Sequence, residues 1–173
     1  MKRVSLELRG HAPFLVFKDA DLEAAVRISK KVTFVGTLGK EEIAGPSSFI
    51  DKIISRRHYF NFQLSEQWAV RAGRFQVAYG LRLPEHALGI KKGLNWDHST
   101  ESYNVEGSYI GDSFDLFMTA NFGRFERKSL GRERGFAIRS SKMFGDSNKL
   151  GLSYNYGNSN TQSRHVIGPW GIL

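Results

Sequence analysis

The segment FDLFMTANF at residues 114–122 alternates apolar and polar side chains more regularly than any other part of the chain. Its even-numbered positions are all apolar, and most of its odd-numbered positions are polar. Successive side chains of a strand point to opposite faces, so this period of two predicts a β-strand with one apolar and one polar face.

The same alternation recurs along the chain, and no segment shows a helical period of comparable quality. About eight strand candidates result: residues 4–9 with an apolar continuation at 14–17, 22–29, 60–65, 68–72, 103–109, 114–122, 136–139 and 150–156. Residues 164–173 resemble the start of one further strand. The pattern predicts an all-β, antiparallel, up-and-down fold.

The connections between these candidates alternate between short and long. The short ones fall at residues 18–20, 65–66, 111–112 and 145–147, and the long ones at 36–57, 82–99, 123–134 and from 157 onward. Short turns at one end and long loops at the other are typical of outer-membrane barrels. We therefore expect residues 1–173 to form a single transmembrane β-barrel segment. A soluble β-barrel or sandwich that binds a small apolar ligand is the alternative.

Both ends of the chain favour a piece of a larger barrel. The first candidate strand runs into a short turn, and residues 164–173 begin a strand after a long connection. Since bacterial barrels begin and end on the side of the short turns, we expect truncation at both ends. Pro13 interrupts the first candidate strand. A bulge at Gly73 is expected to return Phe75, Val77 and Tyr79 to the apolar face.

Composition excludes several protein classes. The mean hydropathy is −0.36, and no stretch approaches the roughly 18 apolar residues that a spanning helix needs. Cysteine is absent, which excludes disulfides and thiolate metal sites. The net charge of +8 favours anionic partners. The first 14 residues lack the apolar core of a secretory signal, so we expect any export signal to lie outside this sequence.

Two neighbouring segments resemble a known family. They read RRHYFNFQL at residues 56–64 and WAVRAGRF at 68–75, followed by Tyr79-Gly80-Leu81. Together they resemble the middle strands of large Gram-negative outer-membrane porins of the phosphate-selective and related types, over roughly 30 of 173 residues. The resemblance implies a passive, anion-preferring diffusion channel for small hydrophilic solutes in the bacterial outer membrane. It does not identify the solute.

If the apolar face contacts lipid, the polar face lines a pore. The candidate pore-lining residues are Arg27, Arg71, Arg74 (given the bulge), Glu106 and Arg139. One interpretation is an anion-favouring channel, because rings of arginine attract anions. The other is a set of salt bridges that brace the barrel wall, for example between Arg71 and Glu106. On this second interpretation the barrel could equally serve as a structural scaffold for another complex.

A basic loop cluster and the aromatic residues indicate contacts with the membrane. Arg124, Arg127, Lys128 and Arg132 could pair with lipopolysaccharide phosphates, or they could belong to an ordinary solvated loop. Aromatic residues near the strand ends would suit interfacial girdles. The expected partners are outer-membrane lipid, lipopolysaccharide, small solutes and the remaining barrel strands, with a second copy of the chain as a further candidate.

Catalysis is not expected. The run Asp97-His98-Ser99-Thr100-Glu101 places a histidine beside a serine, but neighbouring side chains on a strand point to opposite faces. The five histidines show no metal-ligand spacing. Charges and aromatic residues lie on opposite faces, which argues against nucleic-acid binding. The sequence therefore predicts neither an enzyme nor a metal or cofactor site.

Overall fold

The computed structural model describes residues 4–7, 22–40, 53–80, 101–125, 132–145 and 148–172. These residues form one ten-stranded sheet whose spatial order follows the chain. The strands are β1 (Val4–Glu7), β2 (Leu22–Arg27), β3 (Val32–Lys40), β4 (Ile53–Gln63), β5 (Trp68–Phe75), β6 (Ser102–Ile110), β7 (Phe114–Gly123), β8 (Arg134–Phe144), β9 (Asn148–Asn158) and β10 (Ser163–Ile172).

Nine of the strands, β2 to β10, form an antiparallel up-and-down sheet, as the sequence predicted. β1 lies parallel to β2. Among the described residues β10 pairs only with β9, so the sheet is not closed. The described residues form only strands and their connections, with one strand, β3, more than the eight candidates and the further strand at 164–173.

The two faces of the sheet have opposite chemistry. One register row carries mostly apolar side chains across β2 to β10: Val26, Phe34, Phe60, Ala72, Val105, Ala120, Phe136, Tyr156 and His165. The adjacent row is mostly polar: Arg27, Thr33, Asn61, Arg71, Glu106, Thr119, Ala137, Asn155 and Val166. We call the faces that carry these rows the outer face and the inner face.

Burial is inverted between the faces. On the outer face Met118 is 46% exposed, whereas Glu106 on the inner face is 2% exposed. Soluble proteins bury apolar side chains and rarely bury charged ones completely. The predicted separation of apolar and polar positions is therefore confirmed, with the apolar side turned outward and the polar side enclosed.

Tight turns join the strands at one end of the sheet. Residues 28–31, 64–67 and 111–113 form such turns, and three residues separate the end of β8 from the start of β9. Backbone hydrogen bonds close these turns, for example from Leu64 N–H to Trp68 O at 2.9 Å and from Gly111 N–H to Phe114 O at 2.9 Å. The predicted short connections at 65–66, 111–112 and 145–147 are confirmed. We call this the tight-turn end.

The opposite end holds the longer connections, with one exception. Residues 41–52 and 81–100 lie outside the described residues, and residues 124–133 join β7 to β8. The predicted long loop after residue 157 is wrong, because β9 and β10 are joined by residues 159–162 alone. Ser159 closes this turn: its N–H donates to Gln162 O at 2.8 Å, and its hydroxyl donates to the same oxygen at 3.1 Å.

Two strand predictions are corrected by the sheet. β3 was missed because Gly36 and Gly39 interrupt its alternation, and β4 begins at Ile53, inside the predicted connection. The predicted hairpin between the first two strands is wrong, since β1 and β2 are parallel. The predicted turn at 18–20 and Pro13 lie outside the described residues.

The predicted bulge at Gly73 is also wrong. The register of β5 with both β4 and β6 runs through Gly73 without a shift. Gly73 instead takes a φ of 139°, and a Cβ there would lie 2.3 Å from His58 O. As a result Phe75 is not on the outer face and is only 1% exposed. Register shifts occur instead beside Leu38 in the β3–β4 pair and beside Asn104 in the β6–β7 pair.

Candidate functional site on the inner face

The centre of the inner face is an ion pair between neighbouring strands. Arg71 on β5 lies opposite Glu106 on β6, and Arg71 Nε is 2.7 Å from Glu106 Oε1. Thr119 on β7 donates its hydroxyl to Glu106 Oε2 at 2.8 Å. The pair expected from the sequence is therefore present. It is largely enclosed, so removal of either partner would leave an uncompensated buried charge and would be costly.

Both central arginines lie against aromatic rings. The guanidinium carbon of Arg71 is 4.1 Å from the Phe75 ring centroid and 5.7 Å from that of Tyr59. That of Arg139 is 4.5 Å from the Trp170 centroid and 5.1 Å from that of Phe117. Cation–π contacts of this kind are most favourable when desolvated. The arginines of the inner face are thus held in fixed orientations.

A second ionic network lies towards the end opposite the tight turns. Arg57 on β4 is 3.9 Å from Glu23 on β2 and 3.7 Å from Glu101, which precedes β6. Thr37 on β3 donates to Glu23 at 3.3 Å. Burial raises the pKa of Glu101 to about 7, although its backbone hydrogen bond and the charges of Arg57, Arg74 and Arg56 act to lower it. This network joins the segment that precedes β6 to β4 and, through Arg57, to β2.

Two further ion pairs complete the inner face. Lys149 on β9 pairs with Asp115 on β7, which also accepts a hydrogen bond from Ser141 at 3.4 Å. Arg164 on β10 pairs with Glu133 at 2.8 Å. Five carboxylates on this side of the sheet are therefore each joined to a cation: Glu23, Glu101, Glu106, Asp115 and Glu133.

Residues 76–80, which follow β5, cross the inner face to β9 and β10. Gly80 N–H donates to Ser153 Oγ on β9 at 2.9 Å. Tyr79 Oη packs so closely over Gly168 on β10 that a Cβ there would lie 2.5 Å from it. Ala78 has no exposed surface. The sequence analysis missed this crossing because the predicted bulge placed Tyr79 on the outer face. Gly168 was the available signal, since a glycine inside a strand often marks a close approach of another part of the chain.

The structure brings three of the predicted pore-lining residues into one register row. Arg27, Arg71 and Glu106 share the polar row, and Arg139 lies on the next one, opposite Phe117 and Ser153. Arg27 is exposed near the tight-turn end. Since the register shows no bulge, Arg74 does not share the parity of Arg71. It lies opposite His58 and Tyr103, and its charge acts on Glu101.

The predicted lipopolysaccharide cluster is only partly within the described residues. Arg127 and Lys128 lie outside them. Arg132 donates from Nε to Arg124 O at 3.2 Å and from Nη2 to Phe125 O at 3.0 Å, and it lies 5.2 Å from the Phe125 ring. These bonds brace the connection between β7 and β8, which favours a structural role for Arg132.

Aromatic pairs mark two levels of the outer face. Trp68 and Tyr109 lie near the tight-turn end, with ring centroids 5.1 Å apart. Tyr103 and Phe125 stack at 4.3 Å near the opposite end. Between these levels the outer face carries aliphatic side chains such as Ile138 and also the ring pairs Phe34–Phe60 and Phe136–Tyr156, whose centroids are 5.1 and 5.7 Å apart.

Neither a metal centre nor a spanning helix is found in the described part of the chain. No group of three or more His, Asp or Glu side chains there could hold a metal ion. No helix within those residues is long and apolar enough to cross a membrane. Of the residues 97–101 that were considered for catalysis, only Glu101 is described, and it belongs to the ionic network with Arg57.

Comparison with known proteins yields only short matches. No protein-family model and no solved structure matches the chain. Succinate semialdehyde dehydrogenase of Acinetobacter baylyi is 73% identical over 26 residues, which is 15% of this chain and 5% of that protein. Aldehyde dehydrogenase 1A1 of Equus caballus is 53% identical over 34 residues, which is 20% of this chain and 7% of that protein. Matches of this extent carry neither fold nor activity to the chain.

Proposed function

We propose that this chain forms wall strands of a transmembrane β-barrel of the bacterial outer-membrane type. Its inner face would line a passive passage for small hydrophilic solutes, without catalysis or a cofactor. The observation that carries the proposal is the inverted burial of the sheet. Leu152 and Ile138 on the outer face are exposed, whereas Asn155 and Glu106 on the inner face are almost completely buried.

A soluble protein would be destabilised by such a surface. The outer face presents many large exposed apolar side chains, among them Val26, Phe60, Met118, Phe136, Ile138 and Leu152. Contiguous apolar patches of this kind on a protein mark contact with another protein or with a membrane. In a bilayer the same side chains are well solvated by lipid, and the antiparallel pairing satisfies the backbone polar groups between neighbouring strands.

Strand length and aromatic placement support a bilayer over a protein partner. Seven of the strands, β3, β4 and β6 to β10, are 9 to 11 residues long. A tilted strand needs about 9–11 residues to cross the hydrocarbon core. The pairs Trp68–Tyr109 and Tyr103–Phe125 stand near opposite strand ends, as interfacial girdles do in membrane barrels.

The inner face favours anions over cations. Its five paired carboxylates share four cations, because Arg57 pairs with both Glu23 and Glu101, and Arg27 and Arg139 add two positive charges, which leaves a small excess of cations. Since fixed positive charge in a pore attracts anions, we expect a passage with an anion preference. Residues 76–80 narrow it beside β9 and β10, so we expect small solutes only.

An arginine substitution on the outer face tests the membrane assignment. Met118→Arg places a charge in the apolar band of β7, which should weaken insertion into vesicles by about 2–4 kcal/mol if the position lies near the midplane. The matched control is Asp112→Arg in the exposed turn before the same strand. Insertion is measured by the heat-modifiable migration of the barrel in gels. Equal insertion of both variants would contradict the proposal.

Conductance of the full-length protein in planar bilayers tests the passage. We expect ohmic channels with a reversal potential that indicates anion preference. Insertion without conductance would contradict a channel function and favour a structural scaffold. A monodisperse protein that stays in solution without detergent would contradict the membrane proposal and favour a soluble β protein with an apolar ligand.

A further inference from the structure

Arg139 is a buried cation that has no carboxylate of its own within the part of the chain that the structure describes. It is 8% exposed, and no Asp or Glu of the described residues lies within 4 Å of its guanidinium nitrogens. The two carboxylates whose charges act on it are committed elsewhere: Glu106 pairs with Arg71, and Asp115 pairs with Lys149. An uncompensated buried charge is strongly destabilising, so the environment of Arg139 calls for an anion.

Unsatisfied polar atoms mark the same place. Among the described residues nine buried side-chain nitrogen and oxygen atoms lack a hydrogen-bond partner, and Arg139 Nε and Asn155 Oδ1 are two of them. Asn155 lies on β9 two residues from Ser153, which faces Arg139 across the β8–β9 pair. Ser153 Oγ already accepts hydrogen bonds from Gly80 N–H at 2.9 Å and Trp170 Nε1 at 3.2 Å. Arg57 and Arg71 also have an Nε without a hydrogen bond, but each lies within 4 Å of a carboxylate. Arg139 has no such carboxylate among the described residues, so its buried guanidinium can still take an anionic acceptor.

The surroundings restrict the shape of that occupant. Phe117 and Trp170 contact the guanidinium through their rings. Stacking occupies the planar surface of a guanidinium and leaves its N–H edge for hydrogen bonds. An edge of this kind suits the two oxygens of a carboxylate, which it binds in a planar, bidentate manner. Asn155 can turn its amide over to donate a further hydrogen bond.

We propose that Arg139 and Asn155 form a binding position for a small carboxylate on the inner face, between β8 and β9. Trp170 contacts the Arg139 guanidinium, and both Trp170 and Gly80 of the crossing residues 76–80 donate to Ser153, which lies opposite Arg139. This inference rests on the proposed function, because it names the chemical class of solute that the passage would carry. A solute that moves along the inner face would pause at this position, paired with the arginine.

Acetate is the probe, and the full-length protein in detergent micelles is the sample. A ligand that binds only the folded state raises the temperature of unfolding in proportion to its occupancy. We expect acetate to raise that temperature in the wild type, and Arg139→Gln to weaken the apparent affinity by at least about tenfold. The matched control is Arg134→Gln on the same strand, where the exposed outward side chain leaves acetate affinity unchanged.

A second variant keeps the test decisive if Arg139→Gln does not fold. Asn155→Asp supplies an internal carboxylate beside Arg139. This variant should therefore have a higher unfolding temperature than the wild type. Its affinity for acetate should fall about as much as that of Arg139→Gln. Acetate stabilisation that persists in both variants would overturn the proposal. So would equal stabilisation of the wild type by phosphate or chloride. Acetate binding without conductance would refute the channel and leave the binding position standing.

Discussion

At the scale of residues, the two central arginines of the inner face differ in their partners. Arg71 is committed to Glu106 and is held against Phe75, so it braces the wall. Arg139 lies between two rings and has no acidic partner among the described residues, which is why we propose it as the cation that receives a solute. Sequence alternation predicted that both face inward. It could not distinguish them, because ring contacts and pairing depend on neighbours from distant strands.

Removal of Glu106 should show how much the central ion pair contributes. Glu106→Ala leaves Arg71 enclosed without its carboxylate, which we expect to lower the free energy of unfolding by about 3–5 kcal/mol. Glu66→Ala, in an exposed tight turn, is the control and should stay within about 0.5 kcal/mol. Urea unfolding in lipid vesicles measures both. A Glu106→Ala protein as stable as the control would show that the pair does not brace the wall.

Glu101 should make stability depend on pH. Its pKa in the folded protein is raised to about 7 by burial, so the folded state holds the proton more tightly than the unfolded state. The stabilisation that protonation provides is therefore full below the unfolded pKa near 4.5 and is lost as the pH rises through about 7. Glu101→Gln should match the wild type in unfolding free energy at pH 4 and exceed it at pH 8. A constant difference between the two proteins over this range would contradict the assignment.

At the scale of elements, strands with strict alternation could be predicted and strands with interruptions could not. β6, β7 and β9 alternate cleanly, and the sequence located them. β3 contains Gly36 and Gly39, which weaken the pattern. In β5 the positive φ of Gly73 absorbs the apparent slip without a bulge. Because glycine has no side chain, it does not indicate which face of the sheet its position belongs to. The alternation is therefore lost at these positions, although the strand continues.

Glycines on the inner face should resist substitution where a ring covers them. A Cβ at Gly151 would lie 2.3 Å from the Trp170 ring and 2.8 Å from Ser140 O. Gly151→Ala should therefore displace Trp170 and destabilise the protein by about 1–3 kcal/mol. The control is Gly107→Ala on the outer face, where a Cβ would meet nothing within 4 Å. Thermal unfolding of both variants measures the difference, and equal stabilities would show that Trp170 does not pack against this glycine.

At the scale of the whole molecule, one periodicity accounts for both the fold and the proposed environment. The alternation predicts a sheet with two unlike faces, and burial shows that the apolar face is the exposed one. The crossing of residues 76–80 could not be predicted, because its contacts with Ser153 and Gly168 join parts of the chain far apart in sequence. The solute position is unpredictable for the same reason, since Arg139, Phe117 and Trp170 come from three strands.

Spin labels on β7 and β8 test the central claim that the outer face contacts lipid. The chain contains no cysteine, so single cysteines at Met118 and Ile138 can each carry one label, with Arg27 on the inner face as the comparison. In reconstituted vesicles we predict that labels at 118 and 138 collide with oxygen, which concentrates in lipid, and are protected from a water-soluble nickel chelate. The label at 27 should show the reverse. Outer-face labels that collide freely with the nickel chelate would contradict the membrane barrel.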